Sequence, residues 1–314
     1  MSHCLPRCLH VVCELGIPDA LDDSPRTAAE LAAATGTNAD ALNRALRLLA
    51  AHGVFEPRNG AWAHSELSRM LRTDHPQSMR SLVRMIGMDF FWRAFGSLEH
   101  TLRTGKPGTE TFLPNGMWGY LADNPEASRI FDEAMTGKAH GQIAGILNSY
   151  DFSPFRTIAD IGGGVGHLLN AVLKSTPNVK GILFDQPHVV ARAAPSDRLA
   201  VQGGDFFKDA LPVADAYTIM QVIHDWSDEE SVSILSAIRR SAPAGAKLLL
   251  IEAILPESPA PTWINLLDLH MMAALTGRER TQSEFRTMLR TAGFQLDRVI
   301  DIGLKTSILE SVAV

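Results

Sequence analysis

The sequence predicts an α/β chain in two parts: a mainly helical amino-terminal half, then a doubly wound, mostly parallel sheet. Three observations carry that expectation. From about residue 150, short apolar runs alternate with helix-patterned runs, as repeated β-α-β units require. A glycine run, Asp160-Ile161-Gly162-Gly163-Gly164-Val165-Gly166, follows the first apolar run and opens a helical one. Before residue 140 the pattern is nearly all helical, with little β-branched alternation.

A chain of 314 residues exceeds one ordinary domain, so two are expected. With 46% apolar and 20% charged residues it can bury a sizeable core. The net charge of −6 argues against a nucleic-acid partner, whose phosphates demand a basic stripe. No stretch approaches the roughly 18 uninterrupted apolar residues of a membrane span, so no membrane association is expected. All three cysteines (Cys4, Cys8 and Cys13) lie in the opening segment without the spacing or further ligands of a metal site. Buried, reduced thiols are the expectation. Pro6, Arg7, His10 and Glu14 interrupt that segment, which lacks the features of an export signal; a cytoplasmic protein is implied.

In the first half, TAAELAAATG, NADALNRALRLLAAHGVF and RNGAWAHSELSRML read as helix, turn, helix and short hairpin. Asn38 or Asp40 can cap the second helix, and Asn59-Gly60 forms a tight turn. This winged-helix pattern suggests DNA binding, but the second helix offers only Asn43, Arg44 and Arg47 among alanines and leucines. Asp40, Glu56 and Glu66 flank it, which fits protein–protein packing better. Residues 81–140 supply helices rich in aromatics and methionine. Most are core, and a subset can line an aromatic substrate pocket.

In the second half, RTIADIGG is a strand before the glycine run, and HLLNAVLKST is the helix after it. NVKGILFD, LAVQGGDFF, ADAYTIMQVIHDW and AKLLLIEAIL supply further strands, and DEESVSILSAIRRSA a helix. After a helix near 281–292, FQLDRVIDIG and TSILESVAV are two strands with no helix between them. Such an antiparallel end is not that of a six-stranded dinucleotide fold.

The glycines of the first turn permit close backbone approach to a ligand. Counted from Gly162, a dinucleotide fingerprint would place its third glycine at position 167, which is His167. Asp185 ends the next strand, where a carboxylate can accept ribose hydroxyls of either a nicotinamide dinucleotide or S-adenosylmethionine. Asp205-Phe206 at the third strand end can bond and cover an adenine. His224, in Ile223-His224-Asp225-Trp226, follows the fourth strand and can take a proton near neutral pH, or can be a plain helix-capping loop residue.

These stretches, DIGGGVG, FDQPHV, GDFF, HDWSDEE, IEAILPE and GRERTQSEF, resemble the S-adenosylmethionine-dependent O-methyltransferases of small aromatic metabolites, the plant caffeate type and its bacterial relatives. The resemblance implies a class I, Rossmann-like seven-stranded sheet, mostly parallel with a carboxyl-terminal antiparallel hairpin strand, and a winged-helix dimerisation domain. It implies a homodimerisation domain over 1–95, a helical linker contributing to the acceptor pocket over 96–145, and a catalytic domain over 146–314. His224 matches the general base, with Glu252 and Glu279 flanking it. Asp160, Gly162, Gly164, Asp185, Asp205, Phe206 and Trp226 match cofactor positions. Trp92, Phe131, Met135, Asp268 and Met271 are the acceptor candidates. The implied partner is a small hydroxylated aromatic, the product of the donor is S-adenosylhomocysteine, and no metal is needed.

The resemblance has departures. A lysine four residues before the base is Met220 here, and the family's extra amino-terminal helix is not matched, which leaves truncation or a different pairing open. His270 is either a second polar contact to acceptor or a buried spacer. Other acceptors (a ring nitrogen or carbon) keep the same fold and cofactor, and a cofactor-sensing winged-helix regulator is the reading from another class.

Overall fold

The computed structural model describes residues 3–314, apart from the side chain of His140. One unit comprises the residues up to Gly96 with Leu113–Lys138, the other Ser97–Phe112 with Ala139–Val314. The stretch 96–145 is thus shared between them.

Local signals shape the first unit. Thr27 and Glu30 form a capping box at the start of the helix Ala28–Thr35. Asn38, rather than Asp40, caps Ala39–Ala50 by accepting the Ala41 N–H at 3.0 Å. Leu42, Leu46 and Leu49 share one helix face and bury it against Leu31, Phe55 and Trp62. Strands β1 (Phe55–Arg58) and β2 (Ala61–His64) pair antiparallel through Asn59 and Gly60, whose φ values of 50° and 80° match the two left-handed positions of a tight hairpin turn. Of the cysteines, Cys13 alone is buried, and burial pushes its thiol up to about 12. Cys8 is half-buried and Cys4 exposed, so the expected burial of all three thiols fails for two. Helical rotation turns Cys4 to solvent, while Cys8 packs at the margin of the core.

The second unit holds β3 (Thr157–Ile161), β4 (Lys180–Asp185), β5 (Leu199–Gly203), β6 (Ala216–Met220), β7 (Lys247–Leu255), β8 (Arg280–Thr281), β9 (Phe294–Asp301) and β10 (Thr306–Ala313). Seven of them run in the order β5-β4-β3-β6-β7-β10-β9, and β10 lies antiparallel between β7 and β9. The two-residue β8, which the sequence pattern did not single out, pairs parallel with the end of β7.

Both faces of the sheet are covered, so its central strands β3, β6 and β7 are mostly buried and apolar. On β7, Leu248 and Leu250 pack toward Ile234, Ile238 and Phe285, while Leu249 and Ile251 pack toward Ile146, Leu169 and Val172. The chain runs outward from β3 to β5, then returns to β6 on the other side of β3. That reversal opens a crevice at the carboxyl ends of β3 and β6, the usual ligand position in such sheets. Among the described residues no helix is long and apolar enough to cross a membrane.

Candidate active site

The turn after β3 is a backbone device. Gly162, Gly164 and Gly166 have φ of 67°, 64° and 87°, which L side chains rarely adopt. A Cβ on Gly162 would come 2.8 Å from Val222 Cγ2, and one on Gly163 2.4 Å from Asp160 Oδ2. At Gly164 nothing lies within 4 Å of such an atom, so the backbone there is open to approach. Asp185 Oδ2 accepts the Gly164 N–H at 2.8 Å, tying the end of β4 to this turn. Asp160 sits beneath it, only 1% exposed, with Thr218 Oγ1 donating to Oδ1 at 2.6 Å. Burial pushes the Asp160 carboxyl up to about 7; the Thr218 hydrogen bond opposes this and the Asp185 charge adds to it.

After β5, the Lys208 ammonium at 2.8 Å and the Phe207 N–H hold the Asp205 carboxyl below the usual range. Phe206, Phe207 and Trp226 meet edge to face, with ring centroids 4.8–5.8 Å apart. Asp205, Phe206 and Trp226 thus lie in neighbouring strand-end loops, as cofactor contacts would require.

The turn after β6 is held by side chains. Gln221 takes a left-handed φ of 55°, and the short 3-10 turn Ile223–Asp225 follows. Glu252, on β7 and fully buried, accepts the Val222 N–H at 3.1 Å and the Ile223 N–H at 2.9 Å. Its other oxygen lies 3.3 Å from Gln221 Nε2 and 4.0 Å from His224 Nδ1. Glu279, also fully buried, makes the direct contact: Oε1 is 2.7 Å from His224 Nδ1. Burial disfavours the imidazolium, but the Glu252 and Asp225 charges and the bonded Glu279 outweigh it and push His224 up to about 9. In the neutral ring, Nδ1–H given to Glu279 would leave Nε2, 3.5 Å from Asp225 Oδ1, as the acceptor nitrogen.

Asp268, on the helix Trp263–Ala274, accepts the Glu279 N–H at 2.8 Å, which joins it to this cluster; burial pushes its carboxyl up. Met271 is buried on the same helix. Burial pushes His270 down to about 4, so that ring is neutral. Met220, at the position of the family lysine, packs against the sheet core. Trp92, Phe131 and Met135 belong to the first unit, all partly buried. There the Arg7 guanidinium lies 5.2 Å over Trp92, and Trp118 meets Phe131 edge-on at 5.8 Å.

Three residues of this cluster escaped the sequence reading. Gln221 needed its backbone angle, Gly277 its closeness to the His224 carbonyl (a Cβ would stand 2.1 Å away), and Arg280 its complete burial. The stretch GRERTQSEF carries Gly277 and Arg280 within the family resemblance, but no local pattern gives either a role.

A sheet of this order, with a glycine turn and strand-end carboxylates around a crevice, defines the class I methyltransferase fold. The O-methyltransferase domain family matches residues 95–295, and the O-methyltransferase dimerisation domain residues 1–74. The phenazine O-methyltransferase PhzM of Lysobacter antibioticus is 42% identical over 311 residues, covering 96% of this chain and 91% of that protein. The crystal structure of LaPhzM superposes with a TM-score of 0.92 at 40% identity, covering 100% of this chain and 97% of that one. CalO1, the methyltransferase in calicheamicin biosynthesis, in its SAH-bound form, gives 0.87 at 35% identity, covering 100% and 96%. The chain belongs to this family and is an S-adenosylmethionine-dependent O-methyltransferase.

Proposed function

We propose that the enzyme methylates a hydroxyl of a small aromatic, phenolic metabolite, in line and without a metal, with His224 as general base. The observation that carries this reading is the buried imidazole bonded through Nδ1 to Glu279 at 2.7 Å, beside the crevice. Named activities of relatives, on a phenazine and on 3-amino-4-hydroxybenzoate, support a hydroxylated aromatic acceptor.

The glycine turn fits S-adenosylmethionine: its backbone is open at Gly164, and Asp185 stands at the strand end beside it. Gly162, Gly164 and Asp185 would hold the nucleoside and amino-acid parts, with Asp205, Phe206 and Trp226 around the base and Asp160 shaping the turn from below. When bound, this cofactor supplies a methyl group already activated on a sulfonium. His224 Nε2 accepts the phenolic proton; a phenol has a pKa of about 10, so little phenolate is present beforehand. Glu279 fixes the ring's tautomer and stabilises the imidazolium that forms. Because the carboxylates hold His224 up to about 9, the proton-accepting form gains population as pH rises. A cationic ligand beside the ring disfavours the imidazolium and moves that rise to lower pH. Asp268 and Met271 are proposed acceptor contacts, the dimerisation domain supports a homodimer, and a cytoplasmic location belongs to the same proposal.

The test is transfer of labelled methyl to a panel of phenols and aryl amines, with and without EDTA. An O-methyl ether insensitive to EDTA is expected. His224→Gln is expected to lose about 10²–10⁴-fold in turnover while S-adenosylhomocysteine binding persists. Near-full turnover in that variant, or an N- or C-methylated product, would overturn the reading.

A further inference from the structure

Glu279 and Arg280 are consecutive at the entry to β8, so their side chains leave the extended backbone in opposite directions. Glu279 meets the His224 ring. Arg280 meets the backbone that carries it. The Arg280 side chain is fully buried, yet each of its five N–H groups has an acceptor. Nη1 donates to the Ile223 carbonyl at 3.1 Å and the Arg278 carbonyl at 3.3 Å. Nη2 donates to the Trp226 carbonyl at 2.8 Å and to Ser231 Oγ at 3.2 Å. Nε donates to Asp228 Oδ1 at 2.8 Å. The Ile223 and Trp226 carbonyls bracket the turn that holds His224.

Burying a guanidinium is costly, and an apolar side chain of similar volume would fill the space with less penalty. What an apolar side chain cannot do is hold two carbonyls at a fixed separation, which a planar fork does. Gly277 brings this segment against the turn, since any side chain there would meet the His224 carbonyl. We propose that Arg280 is a positioning residue for methyl transfer: it clamps the 223–226 turn so that the His224 ring stays on Glu279 with Nε2 toward the acceptor. The proposal rests on His224 being the base.

The charges facing the imidazole are Asp225 on its own turn, Glu252 from β7 and Glu279 at the entry to β8. Arg280→Lys keeps the positive charge, but one ammonium cannot span both carbonyls and reach Asp228. The expected result is a turnover about 100-fold lower, the cost of misplacing a reacting group by about 1 Å. Nitrogen-15 NMR should find the His224 titration moved from about 9 toward 6.5, as the ring drifts from its carboxylates. Should Arg280→Lys fold poorly, Ser231→Ala removes one contact and keeps the guanidinium; a smaller shift in the same direction is expected.

Wild-type titration and turnover in Arg280→Lys would overturn the proposal. So would a loss of activity that merely follows loss of folded protein, with the titration unmoved. The ring titration is read without turnover, so it separates this failure from failure of the base assignment, which His224→Gln reports.

Discussion

The turn after β3 and the turn after β6 leave neighbouring strands, yet they are held by opposite means. Three glycines with left-handed backbone build the first, and strand-end carboxylates only brace it. The second carries a non-glycine residue, Gln221, in the same left-handed region, and is held by buried charges from β7 and from the entry to β8. A turn shaped by its own backbone leaves its surface free for a ligand. A turn clamped by distant side chains places one reactive ring accurately but depends on every clamp. The difference matches the tasks proposed for them, holding a cofactor and orienting a base.

Removing a clamp should therefore have the largest effect. Glu252→Ala leaves the Val222 and Ile223 N–H groups without their acceptor, at about 1–3 kcal/mol each. Denaturant unfolding should register that loss, and turnover should fall by at least the factor expected for His224→Gln. Retained turnover would mean that the second turn holds itself. Gly163→Ala probes the first turn, where a Cβ would strike Asp160 Oδ2 and Leu183 Cδ1. It should cost about 1–3 kcal/mol and weaken S-adenosylhomocysteine in calorimetry, while the His224 titration stays in place.

Glu279→Gln sharpens the comparison by sign. It removes a negative charge beside a ring that its neighbours hold up to about 9, so the imidazolium loses support. The rise of acceptor kcat/KM with pH should move to lower pH, with a lower plateau because the ring loses its orienting carboxylate; an unmoved profile would detach Glu279 from the base. The smallest effect is expected beneath the glycine turn. Asp160 has a folded-state pKa of about 7 against an ordinary 3.8, so the folded protein binds the extra proton between those values. Its contribution to stability is full below the lower value and is lost as pH rises through the upper. Asp160→Asn removes that loss, so its thermal midpoint should gain on wild type between pH 5 and 8. Parallel midpoints across that range would show that Asp160 is not protonated in the fold.

Much of this site was legible as chain order. The glycine run, Asp185 and His224 could be singled out because each sits where an apolar run stops, whereas Glu252 and Glu279 came only from the family resemblance. Their division of labour was not legible. Glu252 and Glu279 looked equivalent as flanks of a histidine, whereas the structure gives Glu279 the ring and Glu252 the backbone of the turn. Asp160 matched a cofactor position in the sequence, and it is buried beneath the loop.

By itself the sequence determined the alternation of strands and helices, the hairpin at Asn59-Gly60, and the backbone freedom of the glycine turn. Those are properties of adjacent residues: periodicity, capping and allowed φ. Only the tertiary structure decided which buried charge meets which partner. His224 and Glu279 lie 55 residues apart, and Arg280 reaches Ile223 across 57. Neither distance leaves a local trace, because a buried ion is tolerated only where the folded chain brings its counter-groups to it.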